Sequence, residues 1–493
     1  MSGAVSADRK AGQQAGERSG SLAGLARTEI LLALAAFAVL CIAVLSAAPQ
    51  LVEPDDYAYQ ASIVALADGH PLTLSTAQVT ALANQLAQSA GPNRRIGPGP
   101  LGGSIAQWVQ LPNGRWISEK DPGYPFLAGP FQLLGIIRLA PLYYGALGCL
   151  GLFFGARRWL GRYGGAIAVG LFCSSGAALL FAWRDYMPTF TDAALIAAGT
   201  GALLWALLAE EATARRRTWT GLLGFLAIEA AVFARYTNVV VLGCAMVTVF
   251  AVWWLRPASV PRGALRWWLG SVALFGAGAA TFDDLVYGGP FKSGYRPGEI
   301  TFSLGAVRPN LRYLPAHLIQ AMPMLVLGLA ALAWIAGRCL LLRPTGGEPT
   351  GGEPTAGARR DVAVAAALAA SWFGVWALYA TYTWTAGPGL SSLQATRFYV
   401  PAIGAISLLG AWLVAQVARL GHLPRRARAS GQAPLAALTS AAVVAAMFGL
   451  GVWSFTDMRA FRLGGPGPRC NIAQPHCPVI GRPGKRAAAP GRR

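Results

Sequence analysis

The sequence contains no P-loop, no dinucleotide-binding glycine fingerprint, no GxSxG elbow, no HExxH and no paired CxxC. Nucleotide-driven transport, zinc hydrolysis and soluble-cofactor redox chemistry therefore lose their usual supports. Histidine occurs only four times and is scattered. Charge is also scarce: 13% of 493 residues are charged and the mean hydropathy is +0.45. That balance excludes an ordinary soluble domain and indicates a polytopic membrane protein. Acidic residues number 21 against 41 Lys and Arg, a formal charge of +20. A nucleic-acid surface would gather those cations on one face, whereas here they fall in clusters between apolar runs, so no nucleic-acid partner is expected.

Windows of about twenty apolar residues predict spans at 29–48, 139–158, 164–183, 188–209, 219–234, 236–255, 266–286, 318–340, 361–380, 399–418 and 434–455. The expected fold is all-α, with about 11 transmembrane helices and a large first extracytoplasmic loop carrying juxtamembrane helices. The fifth and sixth spans are short and meet at Arg235, which predicts a broken or tilted pair. Met1 to Arg27 is polar and basic and precedes a run long enough to span, so the first segment reads as an anchor rather than a cleaved signal. Basic clusters at Arg157 and Arg158, Arg215 to Arg217, Arg256 and Arg262, Arg359 and Arg360, and Arg425 and Arg426 lie on alternate loops. The positive-inside rule then places the amino terminus in the cytoplasm and the carboxyl terminus outside; a chain rich in Arg over Lys, and in Ala, Gly and Pro, fits a GC-rich bacterial genome, and the expected location is a bacterial inner membrane.

The resulting organisation is a cytoplasmic tail at 1–28, a membrane domain at 29–455 and an extracytoplasmic tail at 456–493. Residues 49–125 form the first external loop, with a second helical stretch at Ala77 to Gln88 and a Gly/Pro-rich connector from Gly91 to Gly103. The tandem TGGEPTGGEPT lies in a flexible cytoplasmic linker, 344–360. Cys41, Cys149, Cys173, Cys244 and Cys339 fall in spans and read as packing residues. Cys470 and Cys477 flank NIAQPH in the external tail, and a local disulfide is the leading reading there. His476 between them makes metal binding the weaker alternative.

Just beyond the first span, Pro54, Asp55 and Asp56 form a helix start, because an acid can cap free amides of the first turn and Pro is tolerated there. Tyr59, Ile63 and Leu66 follow at i, i+4, i+7, which predicts a helix along the membrane surface, ended by Gly69 and Pro71. Adjacent helical residues point about 100° apart, so the two acids cannot face one reacting atom together. One should act and the other support. The bland alternative is a capped surface helix with a hydrated acid pair.

Other polar groups converge on the same external face. Lys120 sits at the mouth of a rigid turn, EKDPGYP, and an ammonium there suits a lipid phosphate; an interfacial anchor is its ordinary alternative. Arg397 in RFYVP offers a bidentate phosphate clamp, or simply a snorkelling arginine. Trp384 and Tyr399 read equally as aromatic-belt or sugar-stacking residues. Asp192 lies within the first turn or so of an apolar span, where an ionisable side chain is costly and usually faces protein or a wet cavity. Arg184 and Asp185 read as a hydrated interfacial pair, and Glu229 as an ion-pair partner of Arg235 or another cation.

In order and spacing, PDDYAYQASIVAL, EKDPGYP, TDAAL, YGGPFKSGY and RFYVP resemble the GT-C superfamily of membrane glycosyltransferases, particularly the bacterial branch near protein O-mannosyltransferases and the lipid A aminoarabinose transferase. The resemblance covers most of the membrane region. It implies a GT-C-like fold, a polyprenyl-phosphate sugar donor and action on the extracytoplasmic face. By position in the family motifs, Asp55 would be the general base in an inverting displacement, with Asp56 at the motif's second acid position. Lys120 and Arg397 would hold the donor phosphate, and Asp192, Tyr57 and Arg235 would form a supporting polar site. Many relatives in this branch need no metal whereas oligosaccharyltransferases do; no cofactor or metal ligand is assigned here, and a divalent cation stays open.

A lipid, polysaccharide or protein hydroxyl would serve as acceptor. A multi-pass transporter or flippase for a lipid-linked or small polar substrate is the main alternative, and it predicts internal repeats and discontinuous spans around a midplane site. A pseudoenzyme or assembly subunit on the same scaffold is a third. The charges here gather at the external rim.

Overall fold

The computed structural model describes residues 27–46, 54–70, 72–81, 107–295, 298, 300–341, 356–386, 393–420 and 441–456. The disulfide expected between Cys470 and Cys477, the connector from Gly91 to Gly103, and most of the two tails and the 344–360 linker lie outside them. The helices are α1 (Arg27–Leu45), α2 (Pro54–Ala67), α3 (Gly123–Leu133), α4 (Leu139–Leu160), α5 (Gly164–Cys173), α6 (Gly176–Ala182) and α7 (Pro188–Leu208). They continue with α8 (Ala214–Ala234), α9 (Val239–Leu255), α10 (Ala264–Tyr287), α11 (Val307–Ala321), α12 (Leu325–Leu341), α13 (Ala356–Ala380), α14 (Ile403–Leu420) and α15 (Ala441–Thr456). One antiparallel hairpin, β1 (Trp108–Gln110) with β2 (Trp116–Ser118), stands outside this bundle.

Among the described residues, eight helices are long and apolar enough to cross a membrane, or ten spans if each of two bent pairs counts as one. The chain is an all-α multi-pass membrane protein. The predicted third and eighth spans are the bent ones, at 62° between α5 and α6 and at 105° within 314–338. In the first, Ser174 and Ser175 interrupt the helix, and the Ser175 hydroxyl accepts from the Ala178 amide at 3.3 Å to cap a new start. In the second, Pro323 removes an amide donor and crowds the preceding turn.

Two further expectations shift. The fifth span is not short: α8 begins at Ala214, because the Thr213 hydroxyl caps it and Arg215 to Arg217 continue the helix. The break at Arg235 remains, in extended backbone between α8 and the single turn Tyr236–Asn238. Helix also begins at Ala356, inside the range read as linker. Of the second helical stretch in the external loop, residues 76–81 are described and helical.

The core is built from α4, α5, α7 and the last long span. Val400–Ala418 is largely buried and Ala264–Tyr287 hardly at all, so the former is central and α10 peripheral. Small residues set the tightest packing: a side chain at Gly201 would collide with the Gly151 carbonyl of α4.

The polar groups sort to two ends. At one end Arg157 pairs with buried Glu29 at 3.2 Å, Arg217 donates to the Ala206 carbonyl at 2.8 Å, and Asp361 accepts from the indoles of Trp159 and Trp412 at 2.9 and 3.1 Å. The opposite end collects the start of α2, the hairpin, the starts of α7 and α14, and the α8–α9 break.

Candidate active site

The α2 helix is more deeply clamped than a surface helix. Tyr59 and Ile63 pack against Tyr124 and Ala128 of α3, while Ala61 and Ala65 on another face pack with Leu74, Val79 and Trp108. Two of its faces are thus packed on protein, and its alanines let the second wall approach. This holds the acidic first turn in place without a long loop.

Asp55 and Asp56 point into different surroundings. Asp56 is fully buried and pairs with the guanidinium of Arg184, itself 2% exposed, at 2.5 Å. Arg184 and Asp185 are thus not a hydrated surface pair: Arg184 reaches across to α2, and Asp185 is buried beside it. Asp55 keeps 19% of its side chain exposed and meets two cations, Lys120 Nζ at 3.2 Å on Oδ1 and Arg397 Nη2 at 2.9 Å on Oδ2.

Lys120 is carried by the turn after β2. It is 8% exposed, with Glu119 Oε1 at 3.3 Å and the Tyr295 hydroxyl at 3.4 Å, and its ammonium lies 4.9 Å from the Tyr295 ring centre. Tyr295 reaches it because Gly294 rests directly on Glu119; a Cβ at Gly294 would meet Glu119 Cα at 2.5 Å. Burial pulls the Lys120 ammonium down, but Asp55 and Glu119 outweigh it and hold its pKa above the ordinary lysine value.

Arg397 lies on the short 3₁₀ run Leu393–Phe398 that precedes α14. Its guanidinium sits 4.8 Å from the Phe398 ring centre and 5.3 Å from that of Trp384, where cation–π attraction adds to the ion pair. Its backbone carbonyl accepts from Arg235 Nη1 at 3.3 Å. Arg235 in turn pairs with Asp192 Oδ2 at 3.1 Å and donates to Thr189 Oγ1 at 2.8 Å, while Asn238 donates to the same Asp192 oxygen at 3.2 Å. Asp192 and Arg235 thereby tie the start of α7 to the α8 break and to the Arg397 segment. Glu229 is not the partner of Arg235; it accepts from Ser271 at 2.9 Å. Tyr57 lies on α2, and its side chain is outside the described residues.

Asp121 is a site residue that the sequence reading passed over. Burial pushes its carboxyl up to about 7, against the pull of Arg235 and Lys120 and a hydrogen bond from the Tyr236 amide. Burial likewise pushes Asp185 up to about 7, opposed by Arg138. Tyr295, Glu119 and Asp121 all stood within quoted motifs; their nearness to Lys120, a cation already singled out, was the available signal. Among the described residues, no group of three or more His, Cys, Asp or Glu side chains is arranged to hold a metal ion.

What this arrangement offers chemically is one partly exposed carboxylate facing two fixed cations, with a second acid buried behind it in a separate pair. Such a set combines a group able to take a proton with fixed positive charge able to hold an anion.

Among solved structures the chain is similar to the Archaeoglobus fulgidus oligosaccharyltransferase in the apo form, with 13% identity, TM-score 0.49, and coverage of 87% of this chain and 56% of that one. It is also similar to that enzyme's complex with Zn and sulfate (14%, TM-score 0.47, 86% and 53%). A third similar structure is ArnT from Cupriavidus metallidurans bound to undecaprenyl phosphate (15%, TM-score 0.44, 90% and 76%). The chain spans a little over half the length of the oligosaccharyltransferase. No sequence-family model matches it, and no curated protein sequence does.

Proposed function

We propose that this protein is an inverting membrane glycosyltransferase that moves a sugar from a polyprenyl-phosphate carrier to a hydroxyl of a cell-envelope acceptor. The observation that carries the reading is the Asp55 carboxylate between Lys120 and Arg397, at 3.2 and 2.9 Å. A lipid phosphate needs fixed positive charge as it leaves, and an acceptor hydroxyl needs a base within reach; both are present at one end of the bundle. In this reading Asp55 takes the acceptor proton and Lys120 and Arg397 hold the phosphate. Asp56, locked to Arg184, supports α2 rather than touching substrate, and Asp192 and Arg235 set the position of the Arg397 segment. In this reading the site faces the extracytoplasmic side of a bacterial inner membrane, and the Arg215 to Arg217 cluster at the other end of the bundle supports that orientation by the positive-inside rule.

The two bent helix pairs are a feature that a transporter would share. Against that reading, the ionisable cluster gathers at the end of the bundle and not at its middle. Incubating purified protein with a panel of polyprenyl-phosphate sugars and envelope acceptors tests the proposal: transfer by wild type that is lost in Asp55→Asn supports it. Substrate-dependent flux through proteoliposomes without any transfer contradicts it.

A further inference from the structure

The two cations needed by the donor phosphate are already occupied. Asp55 presents one oxygen to Lys120 and the other to Arg397, so the carboxylate fills the position between them. A carboxylate and a phosphodiester each carry one negative charge, and each offers two oxygens to a cation pair. Resting on the glycosyltransferase reading above, we propose that the donor phosphate and the Asp55 carboxylate compete for one seat between Lys120 and Arg397: the incoming phosphate displaces Asp55 from both cations, and the freed carboxylate, on taking the acceptor's proton, can no longer win them back while the phosphate leaves.

Three observations support an exchange in which the cations stay and the carboxylate moves. Lys120 has holders other than Asp55, namely Glu119 at 3.3 Å and Tyr295 through its hydroxyl at 3.4 Å and its ring. Arg397 rests against the rings of Trp384 and Phe398, and its backbone is tied by Arg235. Asp55 is the most exposed of the three, at 19% against 8% and 7%, and it stands in the first turn of α2 on a short side chain. Removing it from the pair leaves two cations already oriented, which is the preorganisation that electrostatic catalysis requires.

The charges balance through the reaction. The acceptor O–H bond breaks and its proton goes to Asp55, while the acceptor oxygen forms a bond to the anomeric carbon. The bond from that carbon to the phosphate oxygen breaks, and its electron pair leaves with the phosphate. Before the step the donor diester and Asp55 each carry one negative charge; afterwards the polyprenyl phosphate monoester carries both and Asp55 is neutral. Attraction from Lys120 and Arg397 thus passes wholly to the group on which negative charge develops. When Asp55 loses its proton to water it competes for the cations again, and the spent lipid phosphate is displaced.

The test is equilibrium binding of radiolabelled undecaprenyl phosphate to the purified full-length protein, with undecaprenol as the control for the lipid chain. Removing the competing anion in Asp55→Asn should tighten phosphate binding by about tenfold, the scale of one ion-pair exchange in a partly screened site. Asp55→Ser should tighten it as well, which guards against a fault peculiar to one variant, and undecaprenol binding should not change. Lys120→Met and Arg397→Met should weaken phosphate binding. Unchanged or weaker phosphate binding in both Asp55 variants, with dependence on Lys120 and Arg397 preserved, overturns the exchange alone. Phosphate binding that ignores Lys120 and Arg397 overturns the exchange together with the glycosyltransferase site.

Discussion

Arg235 holds Arg397 by its backbone, with Nη1 3.3 Å from the Arg397 carbonyl, while its Nε pairs with Asp192 at 3.1 Å. A cation at the break between two spans therefore sets the position of a second cation that faces Asp55.

Replacing Lys120 by Met removes one of the two cations, and Arg397→Lys keeps the charge but loses the planar two-pronged fork. Both should raise the KM for the lipid-linked donor, by about tenfold or more for the loss of one charged hydrogen bond. Steady-state kinetics at varied donor concentration measure this, and an unchanged KM in both variants contradicts the assignment.

The Asp56–Arg184 pair is buried on both sides, so removing one partner takes an ion-pair contact from a charge that water does not reach. Arg184→Met should destabilise the protein by about 3–5 kcal/mol, and the double variant Arg184→Met with Asp56→Asn should recover part of that loss. Thermal unfolding in detergent reads both. Asp55→Asn, at a partly exposed position, should cost far less, which separates the supporting acid from the acting one.

Asp121 supplies a pH signature. Its folded pKa of about 7 lies above the ordinary value of 3.8, so the folded state holds a proton that the unfolded chain has lost. The stability that this proton contributes is full below about pH 4 and falls away as pH rises towards 7. Asp121→Asn should abolish that component, so the thermal midpoint of wild type should fall relative to the variant across this window. Parallel curves for the two proteins contradict a buried, proton-holding Asp121.

Gly294 lets the loop after α10 lie on the Glu119 backbone, which brings Tyr295 to Lys120. Gly294→Ala should push that loop away and raise the donor KM several-fold with little change in thermal midpoint, and Tyr295→Phe should do so to a smaller degree because the ring contact survives. Donor kinetics for the two variants measure the difference.

Hydropathy made the spans legible, because twenty apolar residues have few other fates in a chain of this composition. The start of α2 was legible too, since Pro54, Asp55 and Asp56 act through local backbone rules. The bends were not, because a serine pair or one proline kinks a span only as its neighbours permit. Long-range pairing was illegible for a similar reason: nothing near Arg184 in the sequence marks Asp56 as its partner, and its neighbour Asp185 was the obvious wrong choice. Asp121 escaped because its character comes from burial among Arg235, Lys120 and the Tyr236 amide, which only the fold assembles.

The central claim is that Asp55 takes a proton from an acceptor while the cations beside it hold a lipid phosphate. Its most direct measurement is transfer of radiolabelled sugar from a polyprenyl-phosphate donor to an envelope acceptor by wild type and by Asp55→Asn, each shown to be folded. Loss of the base should lower turnover by about 10²–10⁴-fold in the variant at saturating donor. Equal turnover by the two proteins would contradict it.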